Sequence, residues 1–165
     1  MNVTTSDINA HARAIIKTAQ DQGVMISLAE SCTGGMAAAS LTDIAGSSAV
    51  FDRGFVTYSN DAKMDMLGVS HETLATHGAV SSETSIEMVT GVLKQAPKSS
   101  LAISITGIAG PGGGSPKKPV GLVYFGIKTH DKTAQSVKQI FDGDRASIRN
   151  QALCFALDLI LNILK

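Results

Sequence analysis

Apolar and polar positions alternate along this chain between helical spacing and short continuous apolar runs. Between about Ser6 and Gln22, Ile8, Ala12, Ile15, Ile16 and Ala19 form one apolar stripe and Gly23 supplies a stop, which predicts an amphipathic helix. Val24 to Leu28 reads as a buried strand, and Met36 to Leu41 as a small-residue helix. After the loop Ala45-Gly46-Ser47-Ser48, the stretch Ala49 to Ser59 is rich in Val, Phe, Thr and Tyr and predicts a strand. Asn60 is expected to cap a short helix that ends at Gly68. Ser70 and Ser81 are expected to cap two more, the second running from about Ser82 to Gln95 before Pro97. Leu101 to Ile105 is a further strand, and Thr106 to Ser115, dense in glycine, is expected to be a loop at its end. Val120 to Thr129 and Thr133 to Phe141 predict an antiparallel hairpin turning at His130-Asp131-Lys132. The last segment, about Arg145 to Leu164, is apolar around most of its circumference and predicts a buried helix, partly in a subunit interface.

Helices alternating with strands define a layered α/β domain. With 165 residues, 44% of them hydrophobic, one core suffices, and residues 1–165 are expected to form a single domain. Fourteen Lys+Arg balance fourteen Asp+Glu, and no basic run interleaved with aromatics is present, so no nucleic-acid partner is expected. The N-terminal stretch Met1 to Ser6 carries neither a basic nor an apolar leader region. Asp158 and Asn162 interrupt the longest apolar run, so neither secretion nor a membrane span is expected. Two cysteines, Cys32 on a turn and Cys154 in an apolar helix, do not form a disulfide framework and fit a reducing cytoplasm.

Candidate chemistry concentrates at Ala29-Glu30-Ser31-Cys32-Thr33-Gly34-Gly35, where a strand turns into a helix. Helix-start amides carry the positive end of the macrodipole, and Gly34 and Gly35 allow close approach, so an anion or oxyanion fits there. Ser31 either caps that helix or acts as a nucleophile. A nucleophilic serine needs a base. His71 and His77 do not complete a zinc motif, because the required position is Ala75, and no metal is expected. His11 and His130 read as solvated. Lys63, early in its helix, is opposed by the macrodipole, and burial would favour the neutral amine that a base requires; otherwise it is an ordinary solvated lysine. Tyr58 either relays a proton or is a half-buried strand aromatic. Cys32 is the rival nucleophile. The glycine-rich loop, lacking a closing Gly-Lys-Ser/Thr, is not a P-loop; it is expected to form a second wall of the Ser31 site, with Thr106 and the glycines after it as hydrogen-bonding groups. Arg145 and Arg149, one helical turn apart, either clamp a phosphate or pair with Asp142 and Asp144.

The motifs Ala29 to Gly35, Tyr58-Ser59-Asn60 with Lys63, Leu67-Gly68-Val69, Gly78-Ala79-Val80-Ser81, Thr106 to Pro111 and Lys118-Pro119-Val120-Gly121 occur in one order that resembles the C-terminal domain of competence/damage-inducible protein CinA, whose stand-alone members are nicotinamide-nucleotide amidases. The resemblance runs from about residue 6 to the end. It implies a three-layer α/β/α sandwich with a mixed, mainly parallel sheet, a homodimer, and no cofactor. It also implies hydrolysis of nicotinamide mononucleotide, a small-molecule nucleotide, to nicotinic acid mononucleotide and ammonia. By the same resemblance Ser31 is the nucleophile, Lys63 the base and Tyr58 a proton-transfer partner. Ser48, Thr106 and Arg145 join as substrate or oxyanion contacts, with Thr33, Gly34, Gly35 and Gly107 as further substrate-binding positions. The additional N-terminal domain of longer CinA proteins has no counterpart in these motifs, and its activities are not expected here. Arg53 and Ser85 stand where Gly and Ala are expected. A non-catalytic pyridine-nucleotide-binding module linked to competence or damage response is the competing expectation.

Overall fold

The computed structural model describes residues 4–165; the first three residues of the N-terminal stretch read above lie outside the described residues. The elements follow in the order α1 (Thr5–Gln22), β1 (Ile26–Glu30), α2 (Met36–Thr42), a 3-10 turn (Ser47–Ala49), β2 (Phe51–Val56), α3 (Asn60–Leu67), α4 (His71–His77), α5 (Ser82–Gln95), β3 (Leu101–Gly107), β4 (Leu122–Thr129), β5 (Gln135–Ile140) and α6 (Arg145–Leu164). One sheet runs β2-β1-β3-β4-β5. The pairings of β1 with β2 and β3 are parallel, and β4 pairs antiparallel with both β3 and β5. Four strands therefore share a direction and β4 opposes them.

Strand alternation splits the core into two layers. Ile26, Leu28, Leu101, Ile103 and Ile105 face α1, α2 and α6, where Ile15, Leu41 and Ile160 meet them. Ala29 and Ala102 face α5, which with Leu67 of α3 and Leu74 of α4 closes the other side. Small residues on that second face let α5 lie close: a Cβ on Gly126 of β4 would sit 2.2 Å from the Ser85 carbonyl oxygen. Ser85 is fully buried there, its hydroxyl donating to the Ser82 carbonyl at 2.8 Å and meeting Ser136 of β5 at 2.7 Å, so the departure from Ala leaves no orphaned hydroxyl. Arg53, the other departure, bonds Asp52 and the Gln95 carbonyl on edge strand β2, where a charge discourages further strand pairing. On the opposite layer Phe155 of α6 packs on Phe125 of β4 with ring centroids 4.8 Å apart, which docks α6 against the sheet. α6 is long and apolar enough to cross a membrane by length and composition, but Ile148, Ala152, Leu153, Ala156, Leu157, Ile160 and Leu164 are buried against the sheet and α1.

Several boundaries move. β1 begins at Ile26, two residues after the expected start, and extends through Glu30, because the backbone of Ile26 to Glu30 is paired on both sides by β2 and β3. β2 is confined to Phe51–Val56, the length that β1 can pair. Ser59, not Asn60, caps α3, its hydroxyl accepting from the Ala62 N–H. Thr106 and Gly107 belong to β3, since β4 pairs with them opposite Tyr124 and Val123. Strand pairing thus overrides glycine content at the start of that loop.

Candidate active site

Strand order 2-1-3 puts a topological switch point at the carboxyl ends of β1 and β3, where the chain leaves β1 toward β2 and leaves β3 toward β4, in the direction of the other edge. A half-open cleft of about 180 Å³ lies there, lined by Ser31, Cys32, Tyr58, Lys63, Thr106, Gly107 and Arg145 together with Ala79, Val80 and Ala109.

Ser31 follows the last residue of β1, its N–H donating to the Ile105 carbonyl at 2.9 Å, so the parallel pairing with β3 continues up to the nucleophile position. Lys63 comes from α3 on the other layer. Its side chain is 1% exposed, and Nζ donates to Ser31 Oγ at 3.0 Å and to the Thr57 carbonyl at 2.8 Å. Among the described residues no carboxylate forms a salt bridge with it. Burial without a counter-charge lowers the Lys63 pKa from 10.5 to about 8. An amine with that pKa is neutral for part of its time near neutral pH, and its lone pair then accepts the Ser31 proton along the same 3.0 Å contact.

Cys32 is a poor rival. It is 6% exposed, and burial first, then the Glu30 charge, push its thiol up to about 11, so the thiolate that would attack is scarce. The expectation that the helix start would lower this pKa fails because desolvation outweighs the partial charges.

Ser31 does not cap α2. Glu30 does: its Oε2 accepts from the N–H groups of Gly35 and Ala37 at 3.0 and 3.1 Å, and its Oε1 from Ala38 at 2.8 Å. The anion that the helix start attracts is therefore supplied by the chain itself, and those three amides are closed to a ligand. Gly35, with φ of 98°, stands at the cap position where a side chain would be strained. The N–H groups of Cys32 and Thr33 remain without a hydrogen-bond partner among the described residues.

The remaining candidates separate by place. Thr106 and Gly107 line the cleft, the Thr106 hydroxyl donating to the Ala79 carbonyl at 2.7 Å. Arg145 lines it too, donating to the Gly110 carbonyl at 2.8 Å and to Tyr58 Oη at 3.0 Å. Tyr58 is 62% exposed and its hydroxyl meets Arg145, not Lys63 or Ser31. Thr33, Gly34 and Gly35 do not contribute to the lining of the cleft: Thr33 is fully buried with its hydroxyl unpaired, Gly34 is exposed and Gly35 half-buried. Ser48 is exposed on the 3-10 turn, outside the cleft lining. Beyond Ala109 the glycine-rich loop borders a separate, open surface depression around Pro111 to Val120, so only its first residues reach Ser31. Arg149 neither faces the cleft nor pairs with Asp142 or Asp144: its Nε and Nη2 each donate at 3.0 Å, to the Cys32 and Thr33 carbonyls. Asp144 instead caps α6 through the Ser147 N–H. His11, read as solvated, contacts Asp158 of α6 at 2.7 Å. In the sequence, Glu30 and the Gly78-Ala79-Val80-Ser81 segment stand only within the family motifs, with Ser81 as a helix cap, and neither carries an expected role at the site; the signal for Glu30 is a carboxylate just before a helix start.

Fold and cleft define an α/β/α protein with a buried serine–lysine pair at the carboxyl ends of its central strands. The CinA C-terminal domain family matches residues 8–164, and the chain belongs to that family. It is 48% identical over 158 residues to the nicotinamide-nucleotide amidohydrolase PncC of Escherichia coli strain K12, covering 96% of this chain and 95% of that protein. It is 51% identical to a CinA-like protein of Kosmotoga olearia over 88% of this chain, which is 35% of that longer protein. The crystal structure of the competence/damage inducible protein CihA from Agrobacterium tumefaciens superposes with a TM-score of 0.94 at 48% identity, covering 100% of both chains.

Proposed function

We propose that this chain is a nicotinamide-nucleotide amidase that converts nicotinamide mononucleotide to nicotinic acid mononucleotide and ammonia through an ester on Ser31. The observation that carries the mechanism is the buried contact of Lys63 Nζ with Ser31 Oγ, 3.0 Å long, at an amine with a pKa of about 8. Near-full-length similarity to PncC amidohydrolases supports the substrate.

Neutral Lys63 takes the Ser31 proton as Oγ bonds to the carboxamide carbon. The Thr57 carbonyl, accepting from Nζ, keeps the ammonium aimed while it holds that proton. Negative charge develops on the amide oxygen, and the free N–H groups of Cys32 and Thr33 receive it, each such donor contributing roughly 3 kcal/mol in enzymes of this kind. The proton passes to the amide nitrogen, the C–N bond breaks and ammonia leaves. Water, deprotonated by the same amine, then cleaves the ester and returns the proton to Ser31. Tyr58, whose oxygen accepts from Arg145, keeps its O–H for the leaving group, and Arg145 presents its charge to the phosphate. The reaction proceeds without a cofactor, residues 1–165 act as one domain, and two copies associate in the cytoplasm through the outer face of α6, where Ile163 is exposed.

Incubation with nicotinamide mononucleotide, following ammonia and nicotinic acid mononucleotide, tests this reading. Stoichiometric products from the wild type and none from Ser31→Ala are expected. A folded wild type that binds the nucleotide without turnover would instead make the chain a binding module.

A further inference from the structure

Of the backbone amides from Ser31 to Ala38, six are engaged: Ser31 with Ile105, Gly34 with Ser31, Met36 with Thr33, and Gly35, Ala37 and Ala38 with Glu30. The two left over, on Cys32 and Thr33, follow Ser31 directly in sequence. Glu30 of β1 fixes the amides from Gly35 onward, but the peptide planes that carry these two free donors lie before that point and need another support. Peptide geometry identifies what does. Both peptides concerned are trans, so each N–H points opposite to the carbonyl of the preceding residue. Arg149 Nε holds the Cys32 carbonyl at 3.0 Å and thereby turns the Thr33 N–H to the opposite side. Arg149 Nη2 holds the Thr33 carbonyl at 3.0 Å, which orients the Gly34 N–H toward the Ser31 carbonyl at 3.1 Å and turns the Cys32 N–H away from it. One rigid guanidinium thus sets both free donors. Gly34 admits this turn because its φ of 62° lies in the left-handed region, which disfavours a side chain.

We propose that Arg149 is a positioning residue for the amidase reaction, acting through the backbone of Cys32 and Thr33 to aim the two N–H groups that receive the oxyanion; this rests on the amidase reading above. Arg149 touches no substrate in this role. Its planar fork is what two adjacent carbonyls require, and a lysine, offering a point charge on a flexible stem, can hold one of them but not fix both planes.

The test compares the wild type with Arg149→Lys and Arg149→Met on nicotinamide mononucleotide, measuring kcat, KM and thermal unfolding. It adds Arg149→Ala assayed with millimolar methylguanidinium. Expected are a fall in kcat of about 10²-fold in Arg149→Met, a KM within about threefold of wild type, and partial recovery in Arg149→Lys, since donors that receive an oxyanion act on the transition state and not on ground-state binding. Methylguanidinium should restore kcat in Arg149→Ala. Should Arg149→Met fail to fold, Arg149→Lys and the rescue decide the matter. Unchanged kcat, a loss confined to KM, or no rescue in a folded Arg149→Ala overturns the inference while leaving an active wild type as an amidase. A wild type that releases no ammonia overturns the amidase reading and this inference with it.

Discussion

Lys63 joins function and stability in opposite senses. Its native pKa of about 8 lies below the ordinary 10.5, so the folded chain gives up this proton before the unfolded chain does. Between those two values the unfolded state binds more protons, and native stability rises with pH; below about 8 both states are protonated and the full penalty of the buried cation, about 3 kcal/mol, is present. Lys63→Met should therefore abolish turnover yet raise stability at pH 7 by about 1–3 kcal/mol, part of the relief being offset by its lost hydrogen bonds. That advantage should shrink as pH climbs from 8 to 10.5. Urea denaturation of both proteins across this range checks it; Cys32, whose thiol is raised to about 11 and which acts in the other direction, is removed from the comparison by making both measurements on a Cys32→Ser background. In the wild type, kcat/KM should climb with pH and level off above about 8, where the amine is neutral.

Element α2 depends on one carboxylate. It is only seven residues long, five of them Ala, Ser or Thr, and no side chain at its cap position accepts from the first turn. Glu30, at the end of β1 and 1% exposed, does that work from inside the strand with three charge-assisted bonds. In Glu30→Gln the amide NH2 must face at least one of the three N–H donors whichever way it is turned, leaving a buried donor opposed. A loss of about 2–4 kcal/mol is expected, read as a lower urea midpoint at unchanged slope. Strand and helix are thereby coupled through one residue, and the Ser31 turn between them is held at both ends, by Glu30 on the amide side and by Arg149 on the carbonyl side.

Across the whole molecule the cleft exists because two helical layers grip the sheet at fixed spacing: Ser31 leaves the sheet itself, Lys63 arrives from the α3–α5 layer and Arg149 from the α1–α6 layer. Layer spacing is testable at Gly126, where α5 crosses β4. Gly126→Ala would place its Cβ 2.2 Å from the Ser85 carbonyl oxygen and 2.4 Å from Ser104 Oγ, so α5 must shift. A loss of about 2–4 kcal/mol is expected, against a change within about 0.5 kcal/mol for Gly112→Ala, whose Cβ would meet nothing within 4 Å. Denaturation of the two variants side by side measures the difference.

Periodicity and cap residues, read without any structure, already placed α5 at Ser82 to Gln95, between Ser81 and Pro97, and the long apolar run placed α6 at Arg145 to Leu164, although Asp144 showed itself as its cap only in the structure. The Ser31 turn and the family motifs were legible for a similar reason: they are short stretches whose residue types are unusual wherever they occur. The ends of β1, β2 and β3 were not, since a strand stops where its partner stops, and Thr106 and Gly107 became strand only because β4 lies beside them. Nor was the division of labour around Ser31. Glu30 and Arg149 are separated by more than a hundred positions, and which of the charged groups near this turn would hold amides, which carbonyls and which the open cleft depends on side-chain directions across three layers. Sequence determines the elements and the chemistry on offer. Only tertiary structure could bury Lys63 beside Ser31 and leave two amides of one turn unpaired, because both are consequences of what packing takes away: water from the amine, and partners from the backbone.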